Sequence, residues 1–523
     1  MPSTLRARLT AALVTATALA TVGAITAGCS VGPDTGPNIV RGDQPDDAQN
    51  AKPVQPELSA PKNDLNWRSC DSSISKAYDL TVPDGVIVQC AKYEVPVNPD
   101  DSSGDTVSIG AMKATTKATP RDAPPLVLTS GTDLPSSRTL LALADGEGKI
   151  VLDRQPVVAV DFRGTGLGAT VDCLTSAQRD VLSTSAAGPG RDVAARATAV
   201  GTAARAAADL CSDTLSPDQL NYSITAAASD IEALRSRWDV DRIALVGVGA
   251  GSSVALSYAA AHHDQVGRLI LDSPTGYATP AREATAARAR GVQKSLTTFA
   301  QRCAGAGCAL GADGAAMLNR VVDAGAAGDL GGVSDSEVID AVSTAIAIGD
   351  MSQSGLRKLG SAIADADRGD VAALKAYVKA AAAVRGTDGR LVGVCNDLRG
   401  RPGLQELPGL AKDWSADAPM TAPTAALSLA SCDGWGSTDA PIAPDRLPVD
   451  PLILVGANDP FNGSTVVDTL AQTLAPTKTN PTAVGWDGLG FSVLAHSTCA
   501  ADVVRDYMGD APLTGPTERS CPA

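Results

Sequence analysis

The segment from Ile243 to Leu256 reads as an apolar run, a turn with glycine at positions 247, 249 and 251, and an Ala-rich helix. Two chemistries use a strand, a sharp turn and a helix in that order. One lifts a nucleophilic side chain above a sheet at a helix N-terminus, in the pattern G-x-S-x-G. The other lets a pyrophosphate reach backbone N–H groups, in the pattern G-x-G-x-x-G. Gly247 and Gly249 suit the second pattern, and Asp272, ending the next apolar run, stands near the acid that would face a ribose. Ser252 stands where the third glycine is needed, so a dinucleotide is not expected. In the first pattern the nucleophile position falls on Gly249, which has no side chain to attack with. Ser253 lies in a small-x-Ser-x-small frame, but one turn further into the helix. With His262, His263 and His496 the only histidines and no C-x-x-C, neither a metal site nor a cofactor is expected.

The elements that position this turn are legible. Short apolar runs at 125–128, 156–160, 243–246, 269–271 and 452–455 fit strands buried on both faces, and helical stretches at 192–210 and 225–238 lie between them. Such alternation predicts an α/β fold with a mostly parallel sheet flanked by helices. Strand signals then stop, and helix signals follow one another from 279 to 394, including a capping box at Ser334 and Glu337 and a helix opening near Asp370. The expected organisation is a core in two parts, 63–278 and 395–523, with a helical cap at 279–394 between them.

The chain of 523 residues is 44% hydrophobic, enough for a large core, and its 58 acidic against 43 basic residues give a net charge of −15. That balance argues against nucleic acid or an anionic membrane surface as a partner. Arg6 and Arg8 precede an uncharged apolar stretch that ends at Thr26-Ala27-Gly28-Cys29, so residues 1–28 read as an export signal with Cys29 as a lipidated first residue. Residues 29–62, lidded by few large apolar side chains, read as a disordered tether. The expected location is the outer face of the cytoplasmic membrane. Beyond Cys29, ten cysteines remain, an even number that reads as five disulfides in an exported chain. Spacing suggests neighbour pairs: Cys70 with Cys90, Cys173 with Cys211, Cys303 with Cys308, Cys395 with Cys432, and Cys499 with Cys521.

From about Trp67 onward the chain resembles the secreted tripeptidyl-aminopeptidase-like and prolyl-aminopeptidase-like α/β-hydrolases of actinobacteria. The resemblance rests on 158–168 (VAVDFRGTGLG), 222–235 (YSITAAASDIEALR), 258–274 (YAAAHHDQVGRLILDSP), 432–435 (CDGW), 455–460 (VGANDP) and 486–490 (WDGLG). It implies an α/β-hydrolase fold with an inserted cap, and it places the catalytic acid at Asp459. Where family elbows read like G-V-S-Y-G, this sequence has Gly249 at the nucleophile position. Where the family reads like W-D-G-x-G-H, it has Phe491 at the base position. The HGGPG-like oxyanion loop is replaced by 129–135 (TSGTDLP).

Acyl transfer by this route needs an oxygen nucleophile and a group that accepts its proton near neutral pH; glycine and phenylalanine supply neither. In a well-studied triad, losing the nucleophile or the base costs a factor on the order of 10^6 in turnover. The expectation is a non-catalytic protein that binds a peptide, a cell-envelope component or a protein partner between sheet and cap. The alternative is a rewired hydrolase using Ser253 or His496, although His496 is expected on a surface loop. The same comparison predicts that Gly249→Ser with Phe491→His restores weak activity provided the oxyanion donors persist, while neither change alone does. Asp487 reads as a turn acid, and His262 and His263 as the end of the elbow helix.

Overall fold

The computed structural model describes residues 55–463 and 467–523. The expected export signal 1–28, the expected lipidated Cys29 and the expected tether up to residue 54 lie outside the described residues. Among the described residues ten strands form one sheet: β1 (Arg68–Ser69), β2 (Val86–Pro96), β3 (Thr106–Thr116), β4 (Leu126–Thr129), β5 (Val157–Val160), β6 (Ile243–Val248), β7 (Val266–Asp272), β8 (Leu452–Asn458), β9 (Thr482–Leu489) and β10 (Glu518–Cys521). Their order across the sheet is β1-β2-β3-β5-β4-β6-β7-β8-β9-β10. The pairs β1–β2, β2–β3 and β3–β5 are antiparallel, and every pair from β5–β4 to β9–β10 is parallel.

The apolar runs are the central strands. Every residue of β4, β5, β6 and β7 is buried, because helices cover both faces, and this is why the runs do not alternate with polar residues. One apolar cluster lies on each face of the sheet, and a third forms the interior of the cap around Leu296, Phe299 and Val342. The capping box forms as expected: Glu337 N donates to Ser334 Oγ at 3.1 Å and Ser334 N to Glu337 Oε2 at 2.8 Å. Ala372 N donates to Asp370 Oδ1 at 3.1 Å as the helix Ala372–Arg385 opens. All five cysteine pairs form as spacing suggested.

Two boundaries shift. Residues 55–62 belong to the core and not to a tether: Gln55 N donates to Asp510 O at 3.0 Å, Lys62 N to Trp238 O at 2.9 Å, and the buried Arg268 donates to Pro56 O at 2.8 Å. Backbone groups satisfied by the body are held to it in spite of a linker-like composition. The cap also runs past 394, which falls inside the helix Asp388–Asp397. Two further helices, Leu407–Trp414 and Ala422–Ala430, precede β8, so the insertion occupies 273–451 between β7 and β8. Helices of 8 and 9 residues are too short for a 3.6-residue apolar period to stand out, which is why that stretch read as core.

Candidate functional site

Four loops at the carboxyl ends of parallel strands meet at one point, where open α/β sheets place their ligands. They follow β4, β6, β8 and β9 and carry Asp133, Gly249, Asp459 and Phe491. The β6 turn keeps the full geometry of a nucleophile elbow. Gly249 has φ +57°, and the helix Gly251–Ala261 starts two residues later. Gly247 and Gly251 leave no room for a Cβ: one at 247 would meet the backbone of Gly251, and one at 251 would meet that of Thr129. The elbow is therefore built, and its tip is bare.

The space above the tip is filled. A Cβ on Gly249 would lie 2.6 Å from Phe491 Cε2 and closer still to Asp133 Oδ2. That Asp133 oxygen accepts the Ala250 N–H at 2.7 Å and Asn462 Nδ2 at 2.9 Å. The N–H that follows a nucleophile is the one that would stabilise a tetrahedral oxyanion. Here an internal carboxyl oxygen takes its place. Asp133 is the functional residue that sequence reasoning missed; the segment 129–135 reads as a replaced oxyanion loop, and the one acid in it gives no signal of its target. Restoring Ser at 249 and His at 491, as the motif comparison suggested, would leave this oxygen in the way.

Phe491 is buried against Phe461, with ring centroids 5.0 Å apart, and Arg385 of the cap helix Ala372–Arg385 lies 4.1 Å from the Phe461 centroid. Phe491 N and His496 Nε2 both approach Ala347 O, at 3.4 and 3.1 Å, near the end of the cap helix Asp335–Ile348. His496 is thus not on a surface loop: it stacks on Trp486 with the rings 3° from parallel, and burial lowers its basicity. Asp272, considered above as a ribose partner, instead accepts Ser492 Oγ at 2.6 Å and Val493 N at 2.7 Å, holding the loop that presents Phe491. Ser253 is inside the elbow helix with its Oγ 3.4 Å from Thr275 Oγ1, and Ser252 Oγ accepts Thr275 N at 3.1 Å. His262 packs on Tyr258 and His263 pairs with Asp264. Asp487 is an exposed residue of β9 and not of a turn.

Asp459 sits at the acid position and is fully buried. Its Oδ1 accepts Phe461 N at 2.7 Å and Asn462 N at 3.0 Å, while Oδ2 is buried without a partner. Burial above all, helped by the nearby carboxyl groups of Asp133 and Asp272, raises its pKa to about 8. A proton on Oδ2 therefore exists in the folded chain that the unfolded chain releases near pH 4. The associated stability is present below pH 4 and is lost as pH rises toward 8. Asp459→Asn, which cannot titrate, is expected to flatten this loss: between pH 5 and pH 8 the variant should gain about 3 kcal/mol relative to the parent. Urea unfolding at the two pH values measures it, and equal pH slopes in both proteins would contradict the assignment.

Between sheet and cap lies a cavity of about 390 Å³. Pro460 and Phe461 form part of its wall, whereas none of Gly249, Asp133, Asp459 and Phe491 lines it. Phe461 stands between the space a ligand would enter and the place where a triad would act.

Residues 150–313, which include the elbow but end before Asp459 and Phe491, match the family model described as the alpha/beta hydrolase fold. The chain is 27% identical over 268 residues to the serine protease Hip1 of Mycobacterium bovis and of Mycobacterium tuberculosis, a match covering 50% of this chain and 49% of that protein. The chain thus spans about half the length of the curated relatives it matches. Among solved structures, esterase E22 is 13% identical with a TM-score of 0.39, covering 81% of this chain and all of its own. A bacterial membrane phospholipase A is 14% identical with a TM-score of 0.34, covering 84% of this chain and 89% of its own. Strand order, the elbow and the matched segment together give this chain the α/β-hydrolase fold.

Proposed function

We propose that this protein is a catalytically silent α/β-hydrolase-fold protein, held on the outer face of the cytoplasmic membrane by a lipid on Cys29, that binds a ligand between sheet and cap. The observation that carries the reading is the occupation of the elbow: Asp133 Oδ2 takes the Ala250 N–H, and the Phe491 ring fills the space beside a Gly249 that has no nucleophile. Neither Ser253 nor His496 supports a rewired centre, since Ser253 faces Thr275 and His496 faces a backbone carbonyl.

Purified protein is expected to hydrolyse tripeptide p-nitroanilides and p-nitrophenyl acetate no faster than buffer. Turnover that survives further purification and disappears on Asp459→Ala would overturn the reading. For the anchor, Cys29→Ala is expected to move the protein from the membrane fraction to the soluble one; unchanged partitioning would refute lipidation.

A further inference from the structure

The cavity between sheet and cap is lined by aliphatic groups, among them Leu182, Val292, Ile339 and Leu391, and by Arg288, Arg385 and Arg390. The arginines are not neutralised in the usual way. Arg385 is 5% exposed; its Nη1 donates to Asp133 O at 3.0 Å, but its buried Nε has no hydrogen-bond partner. The buried Nε of Arg390 has none either, and the contact of its Nη1 with Arg385 O is a long 3.5 Å. Ser343, 3% exposed, adds a buried hydroxyl without a partner to the same lining.

The acids along the cavity are committed elsewhere. Glu337 accepts Ser334 N and Oγ of its capping box, and Asp388 accepts Cys173 N, Leu174 N and the Arg179 guanidinium. Only Asp340 remains, with a half-exposed side chain 3.6 Å from Arg385 Nε. Burial and mutual repulsion among these guanidiniums lower the basicity of Arg288, and that of Arg390 to about 9. Buried donors left unmade cost on the order of 1–3 kcal/mol each, more when charged, and such a cost is offset when a ligand supplies the acceptors. Planar guanidinium forks suit carboxylate and phosphate oxygens.

We propose that this cavity binds an anionic amphiphile, with its carboxylate or phosphate head held by Arg288, Arg385, Arg390 and Ser343 and its aliphatic body against the apolar part of the lining. The assignment rests on the binding role proposed above and names its ligand class. An aliphatic body fits because Leu182, Val292, Ile339 and Leu391 line the same cavity and offer hydrocarbon to it.

The test is titration calorimetry of the purified chain in detergent-free buffer with dodecanoate, dodecyl phosphate, dodecanol and inorganic phosphate. At least one dodecyl anion should bind ten-fold or more tighter than dodecanol and than inorganic phosphate. Preference for dodecanoate identifies an acyl carboxylate, and preference for dodecyl phosphate a phosphomonoester head. Arg288→Met with Arg390→Met should weaken anion binding at least ten-fold while the variant remains folded and still binds dodecanol. Dodecanol binding as tightly as the anions, no binding of either anion, or full binding by the folded double variant would each overturn the proposal. Failure of the silent-hydrolase reading would show separately, as hydrolysis of the chromogenic substrates.

Discussion

A variant carrying Gly249→Ser, Phe491→His and Asp133→Ala together is expected to hydrolyse p-nitrophenyl acetate at least a hundred-fold faster than the parent, and Gly249→Ser with Phe491→His alone is not. The reason is the order in which the site is blocked. Serine supplies the hydroxyl and histidine its proton acceptor, but the Ala250 N–H remains bonded to Asp133 Oδ2 at 2.7 Å. An oxyanion donor that is already satisfied cannot stabilise developing charge, and one such donor is worth roughly 10^2–10^3 in turnover. Alanine at 133 removes that oxygen and keeps the backbone carbonyl to which Arg385 donates. A full triad is worth on the order of 10^6, so a hundred-fold gain asks only for a fraction of it. Equal rates in the double and triple variants would show that Asp133 is no obstacle.

The single change is informative in the other direction. Gly249→Ser alone puts a side chain at φ +57°, about 1–2 kcal/mol for a non-glycine residue. It also forces its Cβ to 2.6 Å from Phe491, and overpacking of this kind costs about 1–3 kcal/mol. The folded state should lose about 2–5 kcal/mol by urea unfolding, and part of that loss should return when Phe491→His and Asp133→Ala are added.

The second large effect concerns stability and lies away from the site. Arg163 donates to Asp230 through Nε at 3.0 Å and Nη2 at 2.5 Å, and through Nη1 to Val97 O at 2.6 Å and Asn221 O at 2.9 Å. Both side chains are almost fully buried, and burial keeps the Asp230 carboxyl above its ordinary range in spite of the guanidinium beside it. The pair itself is a weak source of net stability, but removing one member strands the other. Arg163→Met should therefore cost about 3–5 kcal/mol. Arg163→Met with Asp230→Leu should cost less than Arg163→Met alone, because no charge is then left without a partner. A double variant at least as unstable as Arg163→Met would contradict the argument.

That ion pair also shows why so much of the fold was legible. Arg163 belongs to the stretch 158–168 and Asp230 to 222–235, two segments that carried the family resemblance. The structure ties one to the other, so their motifs reflect a shared structural need. The buried strands were visible because burial on both faces makes a continuous apolar run, and the elbow because Gly247 and Gly251 are sterically required. What escaped was set by tertiary contacts without local pattern. Asp133 reaches a residue 117 positions away, Ala347 O meets Phe491 and His496 across the cap, and residues 55–62 are ordered by partners such as Trp238 and Asp510. The three arginines of the cavity come from three separate cap helices, and no spacing rule joins them.

The most direct measurement is the intact mass of the purified protein after prolonged exposure to a fluorophosphonate, with an active serine hydrolase treated alongside. The account predicts an unchanged mass, since no hydroxyl stands at the elbow and no imidazole stands ready to activate one. A stoichiometric phosphonyl adduct on any serine, lost on prior denaturation, would contradict it.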